Sequence, residues 1–269
     1  MMRGLTHFAG IVSTHRRLLA ALVQRDLRDR FSGQAFGLVW TLGHPLVLML
    51  LYAFLFAYVF PARYTAAVGA ASFDYAPSIF AGLVCWLTAQ EVLARSPTVL
   101  QAHASLVKQI VFPTELLPVK STLASSTAQI VTLTFAVGYA AYKGTLGPFA
   151  LTLPLVVACQ LAAMTGVAFL LSSLGAYFRD IKDVIQVMLA VGLFALPVLY
   201  NPHALPSWLS VVFYANPLSY LVWCYQDALY FGAPVHPVAW VVSPVFGVGM
   251  LAIGYTVFQR AKHGFGDVL

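Results

Sequence analysis

The chain has 269 residues, of which 60% are hydrophobic and 9% charged, with a net charge of +6 and a mean hydropathy of +0.82. Soluble domains carry about a quarter charged residues, so this composition excludes a water-soluble enzyme or binding module and indicates an all-α integral membrane protein. The positive balance is accounted for by membrane topology and anionic headgroups, and it requires no nucleic-acid partner.

In chain order, the first long apolar run begins past residue 30 without a small-residue cleavage site, so the N-terminus is expected to stay attached. Residues 1–34 read as a cytoplasmic segment and 35–269 as the transmembrane domain. From Thr14 to Phe31, Leu19, Val23, Leu27 and Phe31 recur every four positions, while Arg16, Arg17, Arg25, Arg28, Asp29 and Arg30 hold mainly the other faces. That pattern predicts an amphipathic interface helix. Thr14 can cap it, and the pairs Arg25/Asp29 and Asp26/Arg30 stand one turn apart. Such a helix lies in the headgroup region and turns at Ser32–Gly33 into the first span, although a plain positive anchor for topology would carry the same charges.

Apolar runs near residues 35–60, 76–93, 122–142, 149–176, 184–200 and 238–258 are each about long enough to cross a hydrocarbon core, which predicts six transmembrane helices. A seventh apolar region, from Leu205 to Phe231, is cut by Pro206, Asn216, Pro217 and Asp227. It reads as short re-entrant extracytoplasmic helices between spans five and six. Of the fifteen lysines and arginines, all but Arg63 and Lys143 fall in the N-terminal segment, the second and fourth loops or the tail. Positive loops stay in the cytoplasm, so the N- and C-termini are both expected there.

Within the spans, Trp40, Tyr52, Phe56 and Phe60 recur at multiples of four and read as one face that could border a translocation path; the same rings serve equally as packing or as an interfacial belt. Tyr200, Trp208, Phe213, Tyr214, Tyr220, Trp223 and Tyr225 are expected near the outer surface, where the belt explanation is the stronger. Glu91 can pair with Arg95 one turn later or meet substrate. Residues 98–112 read as a short helix with Leu106, Val107, Ile110 and Val111 available for docking and Lys108 at the polar edge, or as an ordinary loop helix. Arg179 and Asp180 are expected to form a hinge turn held by mutual and backbone hydrogen bonds. Gly33-x-x-x-Gly37 allows close helix approach, a pattern also frequent by chance. Cys85, Cys159 and Cys224 lie in apolar segments and suit packing. His44, His103 and His203 are scattered with no metal-ligand spacing, and Ser172 and Ser173 lack the surroundings of a nucleophile, so neither a metal nor a catalytic site is expected. There is no G-x-x-x-x-G-K-[ST] loop to hold ATP phosphates, so the chain is expected to bind no cofactor and to power nothing alone.

Four patches in order resemble a known family. The stretch "RDLRDRFSGQAFGLVWTLGHP", with Arg25, Asp26, Arg30, Phe31, Gly37, Trp40 and Pro45, is similar to the approach to the first span in ABC-2 type permeases that export polysaccharides; Gln34 departs from the Ser common there. "LVKQIVFPTELLPV", with Lys108, Phe112, Pro113, Leu116, Leu117 and Pro118, resembles the family's cytoplasmic connector. "YFRDIKDV" matches its aromatic-Arg-Asp-Ile turn at Phe178, Arg179, Asp180 and Ile181, and "LPVLYNP" with "NPLSYLVWCYQDALYFG" resembles its extracytoplasmic gate region near 201–236 at Pro197, Tyr200, Asn216 and Pro217; Gln226 stands where many members have Arg.

The resemblance implies a homodimer with two copies of an ABC ATPase subunit that binds ATP and Mg. Leu106, Lys108, Ile110, Phe112 and Pro113 would form the coupling helix, near 98–112, that docks into this partner. The substrate implied is a lipid-linked polysaccharide such as O-antigen, capsule or a teichoic-type polymer, entering beside span one with its headgroup near Arg25, Arg28 and Arg30, with periplasmic export partners beyond the membrane. Trp40, Tyr52, Phe56, Phe60 and Tyr200 are the channel-lining candidates. Rival readings are an ABC-2 exporter of drugs or lipids and a self-contained lipid-active membrane enzyme; the thin inventory of intramembrane ionisable groups weighs against the enzyme and against ion-coupled transport.

Overall fold

The computed structural model describes residues 2–31, 37–55, 59, 76–108, 112–199 and 207–268. Among them the chain is helical and contains no strand, as hydrocarbon demands, because a helix satisfies its amides within its own segment. In order the helices are α1 (Met2–Thr14), α2 (Arg16–Phe31), α3 (Gly37–Phe54), α4 (Ala76–Arg95), α5 (Val99–Ala102), α6 (Ala104–Val107), α7 (Leu116–Ser125), α8 (Thr127–Tyr142), α9 (Leu153–Tyr177), α10 (Ile181–Gly192), α11 (Ser207–Ala215), α12 (Pro217–Gln226), α13 (Pro237–Ala261) and α14 (Phe265–Val268). Four stretches among the described residues are long and apolar enough to cross a membrane: Ala76–Ala102, Leu116–Tyr142, Pro148–Tyr177 and Pro237–Gly264. They cover expected spans two, three, four and six, with extra turns on the second, third and sixth and one further residue at each end of the fourth. Of the first expected span, α3 carries Pro45 inside it, while residues 56–58 and 60 lie outside the described residues.

The fifth expected span is not one continuous helix. α10 has 12 residues and rises about 18 Å, well short of a hydrocarbon core of about 30 Å. A single 3-10 turn, Leu193–Ala195, follows it, and Leu196 is extended. A Cβ on Gly192 would run into the Trp86 ring, and one on Gly82 would meet Val198. The backbone of α10 is thus pressed onto α4 where it stops, and Pro197 prevents the helix from continuing.

Packing centres on α4, whose apolar window is 78% buried against 33% for Leu116–Tyr142 and Pro237–Gly264. One core gathers Phe80, Leu83, Trp86, Val156, Met164, Leu196, Val222 and Tyr225. A second, at the end where α4 and α9 finish and α7 starts, gathers Leu19, Leu100, Leu117, Phe169, Tyr255 and Phe258. α9 and α13 lie backbone to backbone: a Cβ at Gly166 would strike the Met250 carbonyl, and one at Gly254 would strike the carbonyl oxygen of Gly166. The expected Gly33-x-x-x-Gly37 approach lies outside the described residues, since Gly33 is not among them.

The N-terminal helices belong to the second core. Phe8 of α1 meets Phe169 edge-on at 5.7 Å and Tyr255 at 5.3 Å, and Leu19 of α2 is buried. The sequence reading missed α1. Thr14 closes that helix instead of capping α2, and the amide of Leu19 bonds to the carbonyl of His15 at the break between the two.

Candidate functional site

The segment joining α4 to α7 is a chain of short pieces instead of the single helix expected over 98–112. A 3-10 turn, Ser96–Thr98, leads into α5, and His103, with φ −122° and ψ 30°, separates α5 from α6. The Gln101 side chain donates to the Gly175 carbonyl at 2.6 Å, and a Cβ on Gly175 would collide with Pro97, so this connector is seated on the last turns of α9. Leu106 and Val107 turn onto the second core. Lys108 is exposed, Phe112 and Pro113 are half-buried, and Ile110 lies outside the described residues.

Two ion pairs, each with one buried member, fasten this end together. Lys120, 2% exposed on α7, places Nζ 2.6 Å from Asp26 Oδ1 of α2 and 3.1 Å from His103 Nε2. His103 Nδ1 lies 3.0 Å from the Val99 carbonyl, which can only accept, so Nδ1 carries the proton and Nε2 receives one from Lys120. Burial first, and the Lys120 ammonium next, hold the His103 pKa below its ordinary value. In the second pair, Glu115 accepts from Lys262 and Gln259 at 2.8 Å each. Burial pushes the Glu115 carboxyl up, but the bonds from Lys262, its own backbone and Gln259 outweigh it and hold the group below the usual range. Gln259 also donates to Tyr255, whose hydroxyl meets His7 at 2.7 Å. α1, α2, the connector and α13 are therefore linked through charges and amides, not only through apolar contact.

Of the expected headgroup residues, Arg25 sits 3.6 Å from Asp29 on a well-exposed face, where a pair contributes little. Arg28 is exposed, and the Arg30 side chain lies outside the described residues. Asp26 reaches Lys120, and its expected pairing with Arg30 lies outside the described residues. A cleft of about 330 Å³ opens between α2 and the connector, bordered by Arg25, Asp26, Asp29, His103 and Lys120. At the α9–α10 turn, Arg179 and Asp180 are exposed and no side chain caps α10. The main chain holds this turn: the Asp180 carbonyl accepts from the amides of Asp183 and Val184.

A second cleft, of about 320 Å³, lies among α3, α4, α8 and α10. Glu91 Oε1 is 3.3 Å from Arg95 Nε, the expected pair, and both line this cleft with His44, Gln90, Thr132 and Gln186. Of the expected channel aromatics, Tyr52 packs against the main core, whereas the side chains of Trp40, Phe56, Phe60 and Tyr200 lie outside the described residues. Four-residue steps drift about 40° each on an α-helix, so Trp40 and Tyr52, three such steps apart, are about 120° apart and do not share a narrow face.

At the opposite end, Asn216 is the N-cap of α12: its side chain accepts from the Leu218 amide at 3.1 Å, with Pro217 in the first turn. Its amide also donates to the Ala195 carbonyl at 3.3 Å, and Gln226 donates to the Pro197 carbonyl at 2.9 Å. Both satisfy carbonyls freed where α10 breaks. The expected outer aromatic cluster divides: Tyr214 is exposed, but Phe213, Trp223 and Tyr225 are buried. The Tyr225 hydroxyl donates to Gln160 at 2.6 Å and accepts from Gln129 at 2.8 Å, deep between α8 and α9. Asp227, fully buried, lies 2.7 Å from His236 Nδ1 and accepts from Trp240 Nε1 at 2.9 Å. The sequence reading used Asp227 only as an interruption. Its signal was a carboxylate in an apolar run with His and Trp following.

Residues 17–230 match the family described as ABC-2 type transporter. The chain is 21% identical over 254 residues to an O-antigen export system permease protein, RfbA, of Klebsiella pneumoniae, covering 94% of this chain and 95% of the relative. It is 26% identical over 219 residues to an RfbA of the same description from Myxococcus xanthus, covering 80% and 81%. With its apolar helices long enough to cross a bilayer, the chain belongs to the ABC-2 type transporter family and is a multi-pass permease of the inner membrane.

Proposed function

We propose that this chain is the membrane-spanning subunit of an ATP-driven exporter that carries a lipid-linked polysaccharide, of the O-antigen or capsule type, out of the cytoplasm. The observation that carries the reading is likeness over nearly the whole chain to permeases named for O-antigen export. In this reading two copies form a homodimer and two copies of an ABC ATPase, which binds ATP and Mg, engage the connector. Residues 1–34 are cytoplasmic, 35–269 form the transmembrane domain, and both termini face the cytoplasm. α3 supplies the first of six spans. α10, completed by the re-entrant α11–α12 return, supplies the fifth.

The ion pairs Asp26–Lys120 and Glu115–Lys262 give this reading its mechanics. A push on Lys108, Phe112 and Pro113 is passed to α13 because Gln259 is bonded to Glu115 at the end of the connector, to α2 through Lys120 of the adjoining α7, and to α9 and its hinge at Arg179 and Asp180 because Gln101 is bonded to Gly175. The exposed arginines Arg25 and Arg28, together with Arg30, attract the phosphate of the lipid headgroup. Replacing all three with Gln is expected to lower surface polymer several-fold in cells, with the exporter still assembled in the membrane. Unchanged export removes the headgroup role, and normal surface polymer in cells lacking the chain overturns the export function.

A further inference from the structure

We infer that the cleft among α3, α4, α8 and α10 is a binding station for a neutral sugar ring of the polymer, a role that rests on the export reading above. The chain is only 9% charged, yet three of its helices bring His44, Gln90, Glu91, Arg95 and Gln186 to this one place. Polar side chains in a bilayer-spanning bundle are costly unless they are partnered or used. Here they border an open cleft of about 320 Å³, at the lower end of the range of small-molecule sites.

The chemistry of the lining selects the ligand. Glu91 and Arg95 form an ion pair at 3.3 Å, so together they add no net charge, and a pyrophosphate brought here would face a carboxylate beside the Arg95 guanidinium. Gln90 and Gln186 each offer a donor and an acceptor, the Glu91 carboxylate accepts, and Arg95 donates. A sugar hydroxyl does both, so this mixture matches a polyol and not an anion. Pro45 on the wall supplies an apolar surface for the C–H face of a ring. Because α10 forms one side of the cleft and is short, movement at its hinge changes the width of the station.

The test uses the complete exporter in membranes, with Gln186→Cys labelled by a water-soluble methanethiosulfonate. Cys85, Cys159 and Cys224 are buried and contribute little background, and Lys182→Cys, exposed at the start of α10 and outside the cleft, is the control. Adding the lipid-linked polymer is expected to slow labelling of Gln186→Cys several-fold and leave Lys182→Cys unchanged, whereas inorganic pyrophosphate or the polyprenyl phosphate without sugar protects neither. Equal protection by either sugar-free compound overturns the assignment to a sugar. Export by the wild-type complex with no polymer protection at Gln186→Cys overturns the station alone. Absence of export by the wild-type complex overturns the underlying reading and the station with it.

Discussion

Lys120 occupies a position where a lone charge would be intolerable: its side chain is 3% exposed, and its partners are a carboxylate on α2 and an imidazole at the break between α5 and α6. Removing one member of a buried pair leaves the other uncompensated, so Lys120→Met is expected to cost about 2–4 kcal/mol, with the lower part of that range favoured by the partial exposure of Asp26. Thermal unfolding of the detergent-solubilised protein measures it, and a loss near zero would mean that the pair does not hold α2. His103 adds a pH dependence of definite sign. Its folded-state pKa lies below the ordinary 6.5, so between the two values the unfolded chain binds a proton and the folded chain does not. The contribution is fully present above 6.5 and is lost as the pH falls through the depressed value; a smaller loss in Lys120→Met is expected, because the ammonium is one cause of the shift. No sequence pattern signals this arrangement, since Lys120 reads as one more cytoplasmic loop charge, and only the earlier start of α7 at Leu116 takes it inside.

Among the elements, α9 and α13 form the tightest pair, and their contact is set by backbone rather than by side chains. A methyl on Gly254 would overlap the carbonyl oxygen of Gly166, and neither helix backbone can yield like a flexible side chain. Gly254→Ala is therefore expected to destabilise by about 1–3 kcal/mol through overpacking, while Gly249→Ala, with nothing within 4 Å of its Cβ position, leaves the melting temperature almost unchanged. Equal effects at both positions would argue against backbone contact as the cause. Spans two, three, four and six were legible because an uninterrupted apolar run has one outcome in a bilayer. α10 was not, because the apolar run continues past Pro197 to Tyr200 and outweighed the breaking signal of that proline, and the contact of Gly192 with Trp86 is a tertiary one. Likewise Tyr225 reads as an interfacial ring until Gln129 and Gln160, far away in sequence, are brought to its hydroxyl.

For the whole molecule, the break after α10 bears on how the chain is made. A segment rising about 18 Å cannot partition into lipid as an independent unit, and the carbonyls at its end are answered by Asn216 and Gln226, which emerge from the ribosome later. Val198, fully buried in the finished protein, reports on this order. With the three native cysteines replaced by Ala, Val198→Cys is expected to react with a water-soluble maleimide in a chain ended after residue 200 and followed by a short polar extension, and to be protected in the full-length chain; protection at both lengths would show that α10 settles unaided. If the order holds, biosynthesis passes through a half-inserted stage in which one short helix waits at the membrane surface for its partners to be translated. Substitutions at Asn216 or Gln226 would then be felt first as a lower yield of inserted protein, before any property of the mature assembly is measured.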